Sequence, residues 1–309
     1  MRILWTIGRA VAADSVTTWD KPDLRPPAPP PGERLERAPI TCAALPSPEV
    51  PVPASLPPLA ALAVLSLLAC GDKDVGDDTA SVDGGATTGW QAPEGGVIPL
   101  STRDGLTLQA DYHPASAQGR PGVVLLHMIP PQNDRSNWPS AFVDTLVARD
   151  WSVLNVDRRG AGGSEGSPTD AYEGEAGRYD VEAAVQRLVD DGYGPVGIMG
   201  ASNGTTSMID YTAWAAGEGL TRPVVLAYLT GGTYTEGQTP MTEVADLPSV
   251  FACQTTENAW TEVQRSLDPG TWAFHEYPGA GHGTQMLQSD DADALTTALV
   301  DYFSGVLEG

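Results

Sequence analysis

Two pentapeptides, GGSEG from Gly162 to Gly166 and GASNG from Gly200 to Gly204, fit the pattern G-x-S-x-G. Glycines at those positions let a sharp strand-to-helix turn present a serine hydroxyl for attack on a carbonyl carbon. A serine hydroxyl is a poor nucleophile at neutral pH, so it needs a base to take its proton and an acid to orient that base. Only two histidines follow Ser202 in the chain. His275 sits inside the apolar run TWAFHEY, where a structural role is expected, whereas His282 sits in GAGHG, where glycines let an imidazole reach back toward the turn. With 34 glycines in 309 residues, either pentapeptide alone is weak evidence. The surrounding elements must decide between them.

From about Trp90 onward, apolar runs alternate with segments of helical spacing. VIPLS and LTLQADY flank Arg103-Asp104-Gly105 and predict an antiparallel hairpin. GVVLLH, WSVLNVD, PVGIMG, RPVVLAYL, LPSVFAC and TWAFHEY read as strands mostly buried on both faces. Helical patterns lie between or after them in WPSAFVDTLVARD, YDVEAAVQRLVDDG, TTSMIDYTAWAAG, NAWTEVQRSL and ADALTTALVDYFSGVL. Such alternation predicts a parallel sheet wrapped by helices. Ser202 then falls directly after a buried strand and before a helix, whose positive N-terminal end favours negative charge at the attacking oxygen. Ser164 falls in DRRGAGGSEGSPTDAYEG, a polar loop with no helix behind it. Ser202 is the candidate nucleophile.

LLHM (125–128), DRRGAGGS (157–164), GASNG and YPGAGHGT (277–284) follow one another in an order that resembles the α/β-hydrolase family. Within that family the resemblance is to small dienelactone-hydrolase-like and esterase-like members. It implies an α/β fold with a mostly parallel central sheet flanked by helices over residues 89–309, and a chain order of Ser, then Asp or Glu, then His. The family places the acid in the loop after the strand preceding the histidine-bearing one, here QTTEN, which makes Glu257 the candidate beside Ser202 and His282. Glu236 is the substitute, and Asp246 lies at the wrong end of its strand. Two backbone N–H groups are expected to hold the oxyanion: Asn203, and a residue after LLH, namely Ile129 with Met128 as the alternative. His127 is expected to pack structurally. Dienelactone hydrolases carry a cysteine nucleophile, so the serine here favours general ester chemistry.

Only 17 residues separate Leu229 from Leu247, too few for a large cap domain, so an open site is expected. The glycines of DRRGAGG open no helix, no metal-ligand cluster is evident, and no cofactor is expected. The formal net charge is −23, from 17 Lys plus Arg against 40 Asp plus Glu, which argues against a nucleic-acid partner. An acidic rim suits neutral or cationic acyl compounds better than polyanions.

Three cysteines, Cys42, Cys70 and Cys253, are too few and too scattered for a disulfide framework or a zinc site. Cys70 closes LPPLAALAVLSLLAC, whose end Leu67-Leu68-Ala69-Cys70 resembles the lipobox of a bacterial lipoprotein signal. About 14 apolar residues fall short of a transmembrane helix. The resemblance implies removal of residues 1–69, lipidation of Cys70, and a cell-envelope location with the lipid bilayer as partner. Some 50 Pro- and Ala-rich residues precede this signal, which suggests a start assigned too far upstream or an extended leader. Residues 70–88, rich in Asp, Gly, Thr and Ser, read as a flexible acidic tether rather than a calcium loop. The leading expectation is a lipid-anchored serine hydrolase acting on a small-molecule ester through an acyl-enzyme. A thioesterase or peptidase would use the same residues, and a non-catalytic binding lipoprotein on this fold is the rival from another class.

Overall fold

The computed structural model describes residues 90–309. The expected leader, the lipidated Cys70 and the acidic tether lie outside the described residues. Eight strands form one sheet in the order β1-β2-β4-β3-β5-β6-β7-β8. They are β1 (Gly96–Ser101), β2 (Thr107–His113), β3 (Gly122–Leu126), β4 (Ser152–Val156), β5 (Val196–Ala201), β6 (Val225–Leu229), β7 (Ser249–Gln254) and β8 (Ala273–Tyr277). The β1-β2 hairpin and the β2-β4 pair are antiparallel, and every later pairing is parallel. Five helices accompany the sheet: α1 (Ser140–Val147), α2 (Gly177–Asp190), α3 (Gly204–Glu218), α4 (Ala259–Gln264) and α5 (Ala292–Leu307).

The central strands β3 to β6 are buried at every residue because helices cover both faces. Their period of two divides them between two cores. Val124, Leu126, Leu154 and Val156 pack with Val181 and Leu188 of α2 and Met208 of α3. Val123, Leu125, Val153 and Met199 pack with Phe142 and Leu146 of α1 and Leu299 and Phe303 of α5. Each fully buried side chain of this size contributes about 1.5–3 kcal/mol by leaving water.

The two edges depart from double burial for the same reason, since each has only one neighbouring strand. TWAFHEY yields β8, half-buried at all five positions, and β1 is largely exposed. RPVVLAYL yields β6 from Val225, with the Val224 N–H already donating to the Val196 carbonyl at 2.9 Å, and Arg222 before it pairs with Asp246 at 2.5 Å. NAWTEVQRSL forms α4 and then tightens into a 3-10 turn at Arg265–Leu267. Between β6 and β7 the chain makes only one short 3-10 turn, Met241–Glu243, so no large cap covers the sheet. Among the described residues no helix is long and apolar enough to cross a membrane.

Candidate active site

Ile129, Ser202, Asn203, Glu257 and His282 all follow C-terminal ends of parallel strands, where an open α/β sheet leaves its crevice. Ser202 joins β5 to α3 with φ 47, a left-handed conformation that a side chain adopts at a cost of about 1–3 kcal/mol. Hydrogen bonds hold it there. Its N–H donates to the Leu229 carbonyl at 2.8 Å, and its carbonyl accepts from the Thr205 N–H at 2.9 Å. The closing glycine has a steric reason, because a Cβ on Gly204 would stand 2.6 Å from the carbonyl oxygens of both Leu126 and His127. Only glycine lets α3 start against the end of β3.

His282 Nε2 lies 2.6 Å from Ser202 Oγ, and His282 Nδ1 lies 2.8 Å from Glu257 Oε2. A carboxylate facing Nδ1 keeps the proton of a neutral imidazole on that nitrogen, so Nε2 accepts from the serine hydroxyl. Glu257 ends a 3-10 turn, Thr255–Glu257, that follows β7. His282 caps the 3-10 helix Gly283–Gln288 that follows β8. Its loop is fixed rather than flexible: Gly281 and Gly283 take φ 89 and 57, and the Gly283 N–H donates to Thr230 Oγ1 at 3.0 Å. The structure thus brings Ser202, His282 and Glu257 into one hydrogen-bonded row. Glu236 stands exposed on the rim, Asp246 is engaged with Arg222, and His275 lies in β8, stacked on Tyr277, where burial lowers its pKa.

On the other side of the serine, the N–H groups of Met128, Ile129 and Asn203 donate to no acceptor among the described residues. Fully buried His127 organises this region. Its Nε2 accepts the Arg158 N–H at 2.9 Å, so the ring proton sits on Nδ1, which donates to the Met128 carbonyl at 2.7 Å. Burial holds its pKa down at about 3, and the ring is neutral. With the Met128 carbonyl anchored and the next peptide bond trans, the Ile129 N–H points the opposite way. Sequence reasoning left the choice between Met128 and Ile129 open.

Arg158 escaped the sequence reading. It is fully buried, and no carboxylate touches its guanidinium among the described residues. Nη1 donates to Asn203 Oδ1 at 2.9 Å, and Nη2 donates to Ser207 Oγ at 2.8 Å and to the Ala171 carbonyl at 2.5 Å. Desolvation lowers its pKa to about 10, which leaves it charged at neutral pH beneath the elbow. The signal available was a pair of arginines directly after a fully apolar strand. Ser164, by contrast, accepts from the Gln109 N–H at 2.9 Å and donates to the Asp157 carbonyl at 2.6 Å. Among the described residues no group of three or more His, Cys, Asp or Glu side chains is placed to hold a metal ion.

No protein-family model and no curated protein matches the sequence. Solved structures do resemble the fold. An esterase from Pyrococcus furiosus superposes with a TM-score of 0.55 at 14% identity, covering 69% of this chain and 92% of its own. A dienelactone hydrolase from Anabaena variabilis gives 0.54 at 14% identity, covering 70% of this chain and 99% of its own. The esterase RhEst1 from Rhodococcus gives 0.51 at 14% identity, covering 68% and 99%. Sheet order, elbow and neighbours agree on one architecture, and the chain adopts the α/β-hydrolase fold.

Proposed function

We propose that this protein is a serine hydrolase that cleaves carboxylic esters through an acyl-enzyme intermediate. The observation that carries the reading is the continuous row from Ser202 Oγ through His282 to Glu257, with both links at hydrogen-bond distance. Ser202 Oγ attacks the ester carbonyl as His282 Nε2 takes its proton, and Glu257 stabilises the imidazolium that forms. The tetrahedral oxyanion receives the N–H groups of Ile129 and Asn203, and losing one such donor costs about 2.7–4 kcal/mol in the barrier. His282 then returns the proton to the departing alcohol. Water, deprotonated by the same imidazole, attacks the acyl-serine and releases the acid.

The charged, buried Arg158 supports this reading through Asn203, whose side chain it holds while the Asn203 backbone stays free to donate. The test is covalent labelling with a fluorophosphonate probe, with the modified peptide identified by mass. Labelling at Ser202 that disappears in Ser202→Ala is the expected result. An unlabelled wild type would make the fold a binding scaffold instead. We further place the domain on a bacterial membrane through lipidated Cys70, a reading supported by the lipobox-like sequence alone. Cys70→Ser should release the protein from membranes and remove the lipid mass, and retention of both would refute the anchor.

A further inference from the structure

The candidate oxyanion donors come from two segments on different strands. Met128 and Ile129 follow β3, and Asn203 follows β5 at the start of α3. N–H groups that serve one oxygen from two segments need a fixed spacing, since a misplacement of about 1 Å can cost about 10²-fold in rate. The parallel ladder between β3 and β5 ends at Leu126 and Gly200, before either segment begins. Gly204 lets the two come close, but among the described residues no backbone hydrogen bond joins them. A side chain joins them instead.

Arg158 spans the gap. Its Nη1 faces three oxygens: Asn203 Oδ1 at 2.9 Å, the His127 carbonyl at 3.4 Å and the Met128 carbonyl at 3.5 Å. The Arg158 backbone N–H adds a further hold on the same side, at His127 Nε2, 2.9 Å away. On the other side, Nη2 donates to Ser207 Oγ in the first turn of α3 at 2.8 Å. The carbonyl contacts bear directly on the donors. In a trans peptide the N–H points opposite to the carbonyl, so holding the His127 and Met128 carbonyls toward the guanidinium turns the Met128 and Ile129 N–H groups away from it. A carbonyl that accepts from a charged donor also polarises its own amide, which strengthens the N–H at the far end.

Stability alone gives little reason for this arrangement. Asp180 is the carboxylate whose charge reaches Arg158, and it accepts its hydrogen bonds from the Arg159 N–H and Nε, each at 2.8 Å. Arg158 Nε is buried with no partner. A buried guanidinium that touches no carboxylate and leaves one N–H unpaired weakens a fold relative to an apolar side chain. Its contribution lies in what it orients. We propose that Arg158 is a positioning residue of the reaction: by bridging the His127 and Met128 carbonyls to the Asn203 side chain, it sets the two sides of the oxyanion site in register without touching substrate. This inference rests on the reading of Ser202 as nucleophile.

The test compares wild type with Arg158→Gln and Asn203→Ala after the active sites of each preparation are counted by fluorophosphonate labelling to completion, so that misfolded molecules drop out of the rates. Arg158→Gln should lower kcat per active site by about 10- to 100-fold with KM within about threefold of wild type. It should weaken binding of a trifluoromethyl ketone with the same acyl group by a similar factor. Ser202 Oγ adds to the carbonyl carbon of that ketone, the serine proton passes to His282, and the resulting oxyanion occupies the same site. A purely structural role would lower the number of sites and the unfolding midpoint and leave both per-site values unchanged. Asn203→Ala removes the shortest Nη1 contact and keeps the backbone N–H, and should lower the same two quantities severalfold. Unchanged per-site values in Arg158→Gln, or in Asn203→Ala where Arg158→Gln yields no labelled protein, overturn the proposal and leave the esterase reading standing. A rise in KM with kcat unchanged does the same. A wild type that neither labels nor hydrolyses esters overturns both.

Discussion

GASNG and GGSEG present the same letters and opposite environments. At the elbow, Ser202 is held in a left-handed conformation with its hydroxyl directed at His282, and Gly204 is required by two carbonyl oxygens of the neighbouring strand end. In the other loop both hydrogen bonds of the Ser164 hydroxyl go to backbone, one toward β2 and one, from its only proton, toward its own strand end. Its first glycine answers to a different neighbour, since a Cβ on Gly162 would collide with the Asp157 carboxylate. A hydroxyl spent on backbone is an architectural strut, and one aimed at an imidazole is available for chemistry. The pattern G-x-S-x-G specifies a tight turn, and the strand and helix around it specify what the turn is for.

The comparison breaks most visibly with Ser202→Ala, which should lower ester hydrolysis by at least about 10⁴-fold while leaving the fold intact. Steady-state kinetics with circular dichroism checks both halves, and retained activity would return Ser164 to consideration. Glu257→Gln should cost about 10³- to 10⁴-fold in kcat with little change in KM, because the imidazole loses its orienting charge. A loss under tenfold would move the acid role elsewhere. Gly204→Ala should destabilise the protein by about 3 kcal/mol in urea unfolding, since backbone rather than a mobile side chain blocks the new methyl group.

A smaller effect, spread over pH, tests the buttress under the elbow. His127 has a folded pKa of about 3, below its ordinary value of 6.5, so the unfolded chain binds a proton that the native state excludes. Its contribution is complete above pH 6.5 and is lost as pH falls toward about 3, at about 1.4 kcal/mol per pH unit in between. Urea midpoints across this window should fall less steeply in His127→Gln, and identical slopes would contradict the assignment. The smallest effect belongs to Ser164→Ala, about 1 kcal/mol in stability with hydrolysis within twofold of wild type.

Much of the fold was legible because its signals are local. The alternation of apolar runs with helical spacing located the eight strands and five helices of the described residues, and the shortness of the segment after Leu229 foretold an uncapped sheet. Ser202, Glu257 and His282 were legible as a set because the resemblance to the α/β-hydrolase family implies their chain order and the strand ends at which they stand. What the sequence withheld depends on contacts between distant segments. Burial of Arg158 without a carboxylate, beside an Arg159 that binds Asp180 and Asp104, cannot be read from two adjacent arginines. The pinning of the His282 loop by Thr230 likewise needs β6 and β8 in place, so glycines read as freedom turn out to supply a fixed backbone shape.

The outer strand carries a consequence for crowding. β1 borders the sheet, with Val97 61% exposed and Pro99 in the middle of the strand, opposite Gln109. Proline has no N–H, so an incoming strand would find a gap in the row of donors it needs. Two copies of this domain that met edge to edge at β1 would find it resistant to joining sheet to sheet.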